Sequence, residues 1–472
     1  MNNFVKTLSK KFSTIWNLIR LSLAGDESQI LSGNIDRAIF LLAIPMTLEM
    51  LMESLFAIVD IFFVSKVGVN AVAVVGLTES MLTITYSLGW GLAMGTTAMV
   101  ARRVGEHDNN GASISAVQSI YLALLISIPI TIAGIFFSED LLRLMGASES
   151  LIAEGSGYTK IALSSNLIVI LIFLVNGIFR GAGDATLAMR TLMIANSLNI
   201  VFDPLLIFGI GPFPELGVEG AALATVLGRA VGILYQLYHL KKGKGIIKIH
   251  KNNWQFKPNI VFRLIKLSAG VTAQFIISSA SWIFLMRIMS TFGSVALAGY
   301  TIAIRVVVFT LLPAWGFSNA AATMVGQNLG ANQPDRAEKA VWRTGYFNMI
   351  FMGIIMILFF AFGNNIASFF SEENEVVLNA AECLRIFAMG YLFYAFGMVL
   401  VQSFNGAGDT KTPTIMNLFI FWMFQIPLAY TLAILLNIGS TGVYYSIVAA
   451  ESSFSIVGYF LFKRGKWKTI KV

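Results

Sequence analysis

Long apolar stretches recur along the whole chain and are separated by short polar segments. A helix that crosses about 30 Å of hydrocarbon needs about 20 predominantly apolar residues. Twelve stretches of that kind run over 37–64, 76–102, 114–138, 157–180, 187–210, 217–240, 263–289, 296–327, 340–366, 380–404, 413–436 and 441–463. The pattern predicts an all-α integral membrane protein with twelve transmembrane helices, here called spans 1 to 12.

The composition agrees with a chain that lies mostly in lipid. Of its 472 residues, 56% are hydrophobic and only 12% are charged, whereas a soluble domain carries about 25% charged residues. The chain has one cysteine, Cys383, and three histidines, so a disulfide framework and a His/Cys metal centre are both excluded. The spans contain no Ser/His arrangement or set of metal ligands for chemistry, so we expect neither an enzyme nor a resident cofactor.

Basic residues lie on one side of the predicted membrane. Lys and Arg total 33 against 25 Asp and Glu, and the basic residues cluster at the termini and in alternate loops, which indicates topology rather than nucleic-acid binding. The densest run is Lys241, Lys242, Lys244, Lys248, Lys251 and Lys257. The positive-inside rule and the even number of spans place both termini in the cytoplasm.

Two halves of the chain repeat each other. Residues 179–186 read FRGAGDAT and residues 404–411 read FNGAGDTK, so Gly181 corresponds to Gly406. Gly105 and Gly330 are separated by the same distance along the chain, and this common separation is here called the repeat offset. Six spans per half is an even number, so the two halves insert in the same orientation, as in parallel-repeat transporters.

This repeat divides the chain into five segments. We predict a basic amphipathic N-terminal segment over 1–35, a six-helix lobe over 36–240, and a basic cytoplasmic linker over 241–260. A second six-helix lobe follows over 261–463, with a basic cytoplasmic tail over 464–472. Apolar residues at helical spacing within 1–23 favour a helix on the cytoplasmic leaflet; the alternative is a frayed tail.

Ionisable groups within spans are costly and therefore indicate function. Span 1 carries Glu49, Glu53 and Asp60, whose spacing places all three on one helix face. Span 5 carries Asn199 and Asp203 one turn apart. Oxygen ligands of this kind suit a Na⁺ ion or a proton, so we predict a cation site at Asp60, Asn199 and Asp203.

Two prolines accompany these groups. Pro45 lies in span 1 and Pro204 follows Asp203. Because proline lacks an N–H, Pro204 leaves the carbonyl of Ile200 without its usual helical donor, and Pro45 favours a bend in span 1. Pro45 and Glu53 are expected to serve the substrate cavity.

The repeat restricts the predicted site to one half. The repeat offset puts Leu285, Phe424 and Leu428 at the positions of Asp60, Asn199 and Asp203. Since a purely structural role would tend to keep polar groups in both copies, the asymmetry favours an ion site confined to the first half.

Five segments together resemble the multidrug and toxic-compound extrusion (MATE) family. They are AIPMTLEMLMESLFAIVDIFFV in span 1, NGIFRGAGD after span 4, NSLNIVFDPLLIFG in span 5, GVEGAALAT opening span 6 and NGAGDTKTP before span 11. The resemblance covers roughly residues 37–463. It implies two pseudo-symmetric six-helix lobes around a V-shaped cleft.

The resemblance also implies a function and a site. The implied activity is export of cationic or amphipathic drugs in exchange for Na⁺ or H⁺, by a monomer in a bacterial or archaeal inner membrane. The positions matching the family's cation site in the first lobe are Asp60, Asn176, Asn199, Asp203 and Thr225. Glu53 departs from the family pattern, in which a polar but uncharged residue is common.

The branch of the family and the substrate leave alternatives. Some branches use acidic residues in spans 7 and 10, where this chain has Gln274, Tyr391 and Tyr394. The chain therefore resembles the archaeal-like branch whose cation site lies in the first lobe. A flippase of lipid-linked saccharides from the same superfamily is the alternative function; it would favour a strongly cationic cavity.

Overall fold

The computed structural model describes residues 17, 19–25, 30–242 and 245–472, and within them it is all-helical. Twelve of its helices are long and apolar enough to cross a membrane, which confirms the predicted fold class. They are α1 (Ile35–Val67), α2 (Val69–Gly105), α3 (Asn109–Leu144), α4 (Glu149–Ala182), α5 (Ala185–Ile207), α6 (Val218–Lys242), α7 (Pro258–Met289), α8 (Ser294–Gly330), α9 (Pro334–Ser368), α10 (Asn374–Ala407), α11 (Lys411–Leu435) and α12 (Ser440–Lys463).

Three of these helices are irregular. Helix α3 is kinked at Phe137, whose φ of −126° and ψ of 17° are not helical. Helix α4 is broken at Ser165 into Glu149–Ser164 and Asn166–Ala182. Helix α11 alternates between α-helical and π-helical turns, with the π-helical segments at Leu418–Gln425 and Thr431–Leu435. Each predicted span corresponds to one helix. Most of the helices extend a few residues beyond the apolar stretch, whereas predicted spans 5 and 11 end beyond Ile207 and Leu435.

The repeated GAGD segment contains a glycine at the end of one helix and an aspartate at the start of the next. Gly183 ends α4 and Gly408 ends α10 in the left-handed region, with φ of 98° and 87°, which a residue without Cβ adopts at little cost. Asp184 then accepts a hydrogen bond from the N–H of Leu187, and Asp409 accepts one from Thr412. The motif therefore ends one helix and begins the next in both halves.

Packing within the two halves follows the same register. A Cβ at Gly181 would lie 2.8 Å from the carbonyl oxygen of Thr97, and a Cβ at Gly406 would lie 2.6 Å from the Cα of Ala322. Thr97 and Ala322 are themselves related by the repeat offset. The same close approach thus joins α2 to α4 in the first half and α8 to α10 in the second, as a pseudo-symmetric pair of six-helix lobes requires.

The two halves meet on the side of the bundle where α1 begins and α12 ends, here called the termini side. Thr323 Oγ1 donates to the carbonyl of Arg180 (3.1 Å), and Gln327 Nε2 donates to the carbonyl of Gly181 (2.9 Å). Arg343 of α9 forms an ion pair with Asp36 of α1. Several hydrogen bonds join a helix of one half to a helix of the other. Among the described residues, each of them involves positions at the middle of the helices or nearer the termini side. The described hydrogen bonds thus join the two halves on the termini side.

The linker and the C-terminal tail are both packed onto the bundle. Gln118 and Tyr121 of α3 donate hydrogen bonds to the carbonyls of Gln255 and Trp254 in the linker. In the tail, Trp467 is fully buried. Lys468 hydrogen-bonds to Glu338, and this contact raises the pKa of the Lys468 ammonium group. The boundaries of the five predicted segments remain predictions.

Most of the predicted N-terminal amphipathic helix lies outside the described residues. Residues 19–24 are helical. The carbonyls of Ser22 and Leu23 accept hydrogen bonds from Thr186 and Arg190 of α5. This part of the segment is thus held against the termini side of the first half.

Candidate functional site

Polar side chains in the first half form a column along α1. Glu49, Glu53 and Asp60 all lie on this helix, and Glu49 and Asp60 are buried. With a rise of 1.5 Å per residue, Glu53 lies about 6 Å and Asp60 about 16 Å beyond Glu49 along the helix. The three carboxylates are therefore at different depths, and Glu49 and Glu53 have separate partners on α4 and α6.

The group farthest from the termini side combines residues of α1, α5 and α6. Asn199 Nδ2 donates to Asp203 Oδ1 (3.1 Å) and to Thr225 Oγ1 (3.2 Å). Asp203 is fully buried and Asp60 is 8% exposed. Asp60 and Asp203 are close enough for their charges to interact. The structure thus brings four of the five predicted cation-site residues together, here called the cation cluster: Asp60, Asn199, Asp203 and Thr225.

The cation cluster has spare acceptor atoms. Asp60 Oδ1, Asn199 Oδ1 and Asp203 Oδ2 are buried and have no hydrogen-bond partner. Leaving a buried acceptor unpaired costs about 1–3 kcal/mol, and more for a charged group. A bound cation or a proton on a carboxylate would satisfy these oxygens, so the donor set fits either ion.

The cluster differs from a resident metal centre. Among the described residues, no group of three or more His, Cys, Asp or Glu side chains is arranged to hold a metal ion. The cation cluster offers two carboxylates, one amide and one hydroxyl. Such a set of hard oxygen atoms is suited to a cation that binds and leaves rather than to a permanently held transition metal.

Close helix packing positions this cluster. A Cβ at Gly228 of α6 would lie 2.5 Å from the carbonyl oxygen of Ala195 on α5, so α6 touches the α5 backbone at this point. That contact places Thr225 beside Asn199. Asn196 Nδ2 of α5 donates to the carbonyl of Met52 (3.0 Å), which joins α5 to α1.

The structure places Asn176 in a different polar group. Asn176 Nδ2 donates to Glu49 Oε1 (3.0 Å), and Gln236 Nε2 donates to Asn176 Oδ1 (2.6 Å). Arg180 forms an ion pair with Glu49 at 3.1 Å. Asn176 thus belongs to a buried network of α1, α4 and α6 nearer the termini side, and its hydrogen-bonding capacity is used there.

Glu53 is paired with an arginine of its own half. Arg229 Nη2 lies 3.3 Å from Glu53 Oε1, and the Arg229 guanidinium lies 5.1 Å from the ring centroid of Phe56. Tyr86 also hydrogen-bonds to Arg229. The sequence predicts that Glu53 serves the substrate cavity. In the structure its carboxylate is paired with Arg229 of the same half. The sequence shows Arg229 as an arginine near the middle of span 6, but it does not show that its partner is Glu53 of span 1.

The corresponding region of the second half is apolar. Leu285, the counterpart of Asp60, is fully buried in the main hydrophobic core of that half. Gln274 forms reciprocal hydrogen bonds with Asn405 at 3.0 and 3.1 Å. Tyr391 Oη lies 3.1 Å from Thr310 Oγ1. The polar residues of spans 7 and 10 are therefore bonded to side chains of their own half.

Comparison with known proteins identifies similar chains. A family model described as MatE matches residues 45–205 and again residues 271–431. The probable multidrug resistance protein YoeA of Bacillus subtilis (strain 168) is 26% identical over 432 residues, which cover 90% of this chain and 93% of that protein. The probable multidrug resistance protein NorM of Thermotoga maritima is 24% identical over 434 residues, covering 90% and 92%.

Solved structures share the fold as well. One is described as the outward-facing conformation of a multidrug resistance MATE family transporter of the MOP superfamily. It matches with a TM-score of 0.87 and 28% sequence identity, covering 94% of this chain and 98% of that chain. The likeness thus extends over nearly the whole chain in both sequence and structure.

Proposed function

Since this chain belongs to the MatE family of multidrug efflux transporters, and is a multi-pass membrane protein rather than an enzyme, we propose that it is a secondary active antiporter. It exports cationic or amphipathic drugs in exchange for Na⁺ or H⁺. The observation that carries the proposal is the cation cluster, in which Asp60, Asn199 and Asp203 hold buried oxygens without hydrogen-bond partners.

Binding of the coupling ion changes the charge of the first half. With both Asp60 and Asp203 ionised, two negative charges lie close together in a low-dielectric interior, which is unfavourable. A Na⁺ ion or a proton from outside relieves this repulsion. Ion and drug exchange only if they favour different conformations, so the ion-bound cluster must favour the state that has released the drug.

Helix α1 connects the cluster to the contact between the halves. Pro45 lies within α1, and Thr47 Oγ1 donates to the carbonyl of Pro313 on α8 (3.3 Å). A Cβ at Gly316 would lie 2.5 Å from the backbone N of Thr47. A bend of α1 near Pro45, where a helical hydrogen bond is missing, would move Asp60 relative to this contact and alter the cavity.

The same proposal includes topology and assembly. We place both termini in the cytoplasm of a bacterial or archaeal cell, because the basic loops lie on the termini side. The cleft then opens to the outside, as needed for drug release. A monomer suffices, since both lobes come from one chain.

The lipid-linked saccharide flippase is less well supported. An anionic pyrophosphate would need an uncompensated cationic cavity, but Arg180 and Arg229 in the first half are both paired with glutamates. Among the described residues, the carboxylates of Asp60 and Asp203 carry unpaired oxygens and form no ion pair, and carboxylates attract cations. The charge balance therefore favours a cationic substrate.

The test compares the parent protein with Asp203→Asn in inverted membrane vesicles, with ethidium supplied in the external medium. A Na⁺ gradient and a pH gradient are imposed separately, and ethidium movement into the vesicles is followed by fluorescence. We expect one gradient to drive transport in the parent and no transport in the variant. Loss of a single required carboxylate should lower the rate at least about 100-fold, which is about 2.7 kcal/mol.

The matched control is Asp140→Asn. Asp140 lies in the exposed ion pair with Arg143 at the end of α3, so this variant removes a carboxylate of the same half without touching the cluster and should transport like the parent. Full gradient-driven transport by folded Asp203→Asn would overturn the proposed role of the cluster. Failure of the parent to respond to either gradient would overturn antiport itself.

A further inference from the structure

The second half contains a cavity of about 400 Å³ between α7, α8, α10, α11 and α12, and Trp90 of α2 also lines it. Its size lies in the range of pockets that bind drug-sized molecules, about 300–1,000 Å³. The cation cluster and the polar column of the first half do not line it. The cavity is therefore a separate feature of the second half.

A single charged side chain lines this cavity. Glu451 lies at the middle of α12, and its carboxylate accepts a hydrogen bond from the Tyr394 hydroxyl. The lining contains no Lys, Arg or His. Glu49 and Glu53 in the first half both have arginine partners, whereas no described residue forms a salt bridge with Glu451. A carboxylate at this depth without a cationic partner is expensive, and a positively charged ligand would compensate it.

Aromatic rings form much of the remaining wall. Trp90, Phe275 and Trp315 are in mutual contact, with ring centroids 5.1 to 5.7 Å apart. Trp282 and Phe454 also line the cavity. Flat aromatic ligands stack on such rings, and the ring faces attract cations. The lining therefore matches a molecule that is flat, apolar and positively charged at one point.

The repeat shows how helix α12 differs from helix α6 at this level. In the register that pairs Gly181 with Gly406, Ala450 corresponds to Thr225 of the cation cluster, so Glu451 is the next residue on the pseudo-symmetric helix. Glu451 itself corresponds to Val226, so helix α12 carries its polar side chain one position further along than helix α6. In the first half that side chain joins two aspartates, and in the second it stands in an aromatic cavity.

We propose that this cavity binds the transported molecule, with Glu451 as the counter-charge for an amphipathic organic cation and the aromatic wall holding its rings. The inference rests on the proposed drug export and adds a cargo site to it. The two halves then bind different ligands: the first half binds the coupling ion, and the second half binds the organic cation.

Binding of rhodamine 6G, a flat monocation, tests this assignment. Fluorescence polarisation is measured with the full-length protein in nanodiscs and without any gradient. We expect Glu451→Gln to weaken binding at least about 10-fold, since it removes the counter-charge but keeps the shape. Glu382→Gln is the matched control, because Glu382 is another carboxylate of this half that lies toward the outer end of α10 and not in the cavity. Unchanged affinity of Glu451→Gln would overturn the proposal.

Asp203→Asn separates the two proposals. It should bind rhodamine 6G like the parent while losing gradient-driven transport. If Glu451→Gln binds normally and Asp203→Asn loses transport, antiport stands and the cargo site is wrong. If Glu451→Gln loses binding and no gradient drives export, the cargo site stands and antiport is wrong.

A second measurement does not depend on the folding of the Glu451 variant. Cys383 is the only cysteine of the chain, so Ser279→Cys in a Cys383→Ala background places one thiol in the cavity wall. Rhodamine 6G should slow its reaction with a maleimide at least about five-fold. Ser290→Cys, beyond the end of α7, should react at the same rate with and without the dye. Equal reaction of the thiol at position 279 with and without saturating dye would also overturn the proposal.

Discussion

At the scale of single residues, the interior charges fall into two classes. Glu49 and Glu53 are paired with Arg180 and Arg229, and a paired charge in a buried position is commonly structural. Among the described residues, Asp60 and Asp203 have no arginine partner within salt-bridge distance, and both carry unpaired oxygens. The presence or absence of an ion pair, rather than depth in the membrane, distinguishes the two classes.

Removing one member of a buried pair should destabilise the protein. Arg180→Ala leaves Glu49 charged and buried beside Asn176, and breaking such a pair costs about 3–5 kcal/mol. We expect a clear fall in the melting temperature of the detergent-solubilised protein, measured by the loss of the monodisperse peak after heating. The double variant Glu49→Gln/Arg180→Gln should melt higher than Arg180→Ala, because no uncompensated charge remains.

The exposed ion pair of the same half is the control. Arg143 contacts Asp140 and Glu149 with about half of its side chain exposed, and such pairs contribute little. Arg143→Ala should melt like the parent. Equal melting temperatures of Arg180→Ala and Arg143→Ala would show that the Glu49–Arg180 pair does not contribute to the stability of the protein.

At the scale of helices, the site depends on how closely α5 and α6 approach. Neither helix holds the cation cluster alone: Asn199 and Asp203 are on α5 and Thr225 is on α6. Gly228, one turn beyond Thr225 in α6, allows the contact because it has no Cβ. The helix interface is therefore part of the site.

Gly228→Ala should separate these helices. Its Cβ would meet the carbonyl oxygen of Ala195 at 2.5 Å, and backbone cannot yield as a flexible side chain does. Overpacking of this kind costs about 1–3 kcal/mol and should lengthen the Asn199–Thr225 contact. We expect weaker response of ethidium transport to the driving gradient, seen as a higher ion concentration at half-maximal rate.

Gly76→Ala is the matched control for that substitution. Gly76 lies on α2, and nothing lies within 4 Å of the position that its Cβ would occupy. Alanine in a helix is favoured over glycine by about 1 kcal/mol, so this variant should be as stable as the parent or slightly more so, with the same ion dependence. An unchanged ion dependence in Gly228→Ala would indicate that the α5–α6 spacing does not determine the cluster.

At the scale of the whole molecule, the described hydrogen bonds between the helices of the two halves lie at or to the termini side of the helix midpoints. The contacts made by Thr323 and Gln327 with the carbonyls of Arg180 and Gly181 close one end of the cleft. Alternating access requires these contacts to break when the opposite side closes. They are therefore expected to be reversible.

A cross-link across the termini side should stop transport. Asp36 and Arg343 face each other from the two halves, so cysteines at both positions in a Cys383→Ala background can be joined by a short bifunctional thiol reagent with a reducible bridge. We expect ethidium export to cease after cross-linking and to return on reduction, since the cross-linked halves cannot separate there. Loss of export is measured in the same vesicles.

Cysteines at Arg143 and Glu149 provide the control. These two residues form an ion pair within the first half, so their cross-link restrains one loop and leaves the relation between the halves free. Export should continue. Continued export after complete cross-linking of positions 36 and 343 would contradict a mechanism in which the halves separate on the termini side.

The amino-acid sequence alone is sufficient to predict the twelve helices, their grouping in two repeats and the main acidic positions. Apolar length and periodicity are local properties, since a helix satisfies its own backbone hydrogen bonds and lipid selects against charge. Asn199 and Asp203 share a face because they lie one turn apart on one helix. The repeat offset identified the half that carries these groups.

Partners on different helices could be found only from the packed bundle. Spacing along span 1 cannot show that Glu53 meets Arg229, or that Asn176 lies beside Glu49 rather than Asp60. It also could not show that Glu451 faces an aromatic cavity. Such contacts depend on the rotation and distance of packed helices, which small residues such as Gly228 set over separations of many residues. Whether a buried charge is matched or left unpaired is therefore a property of the folded bundle.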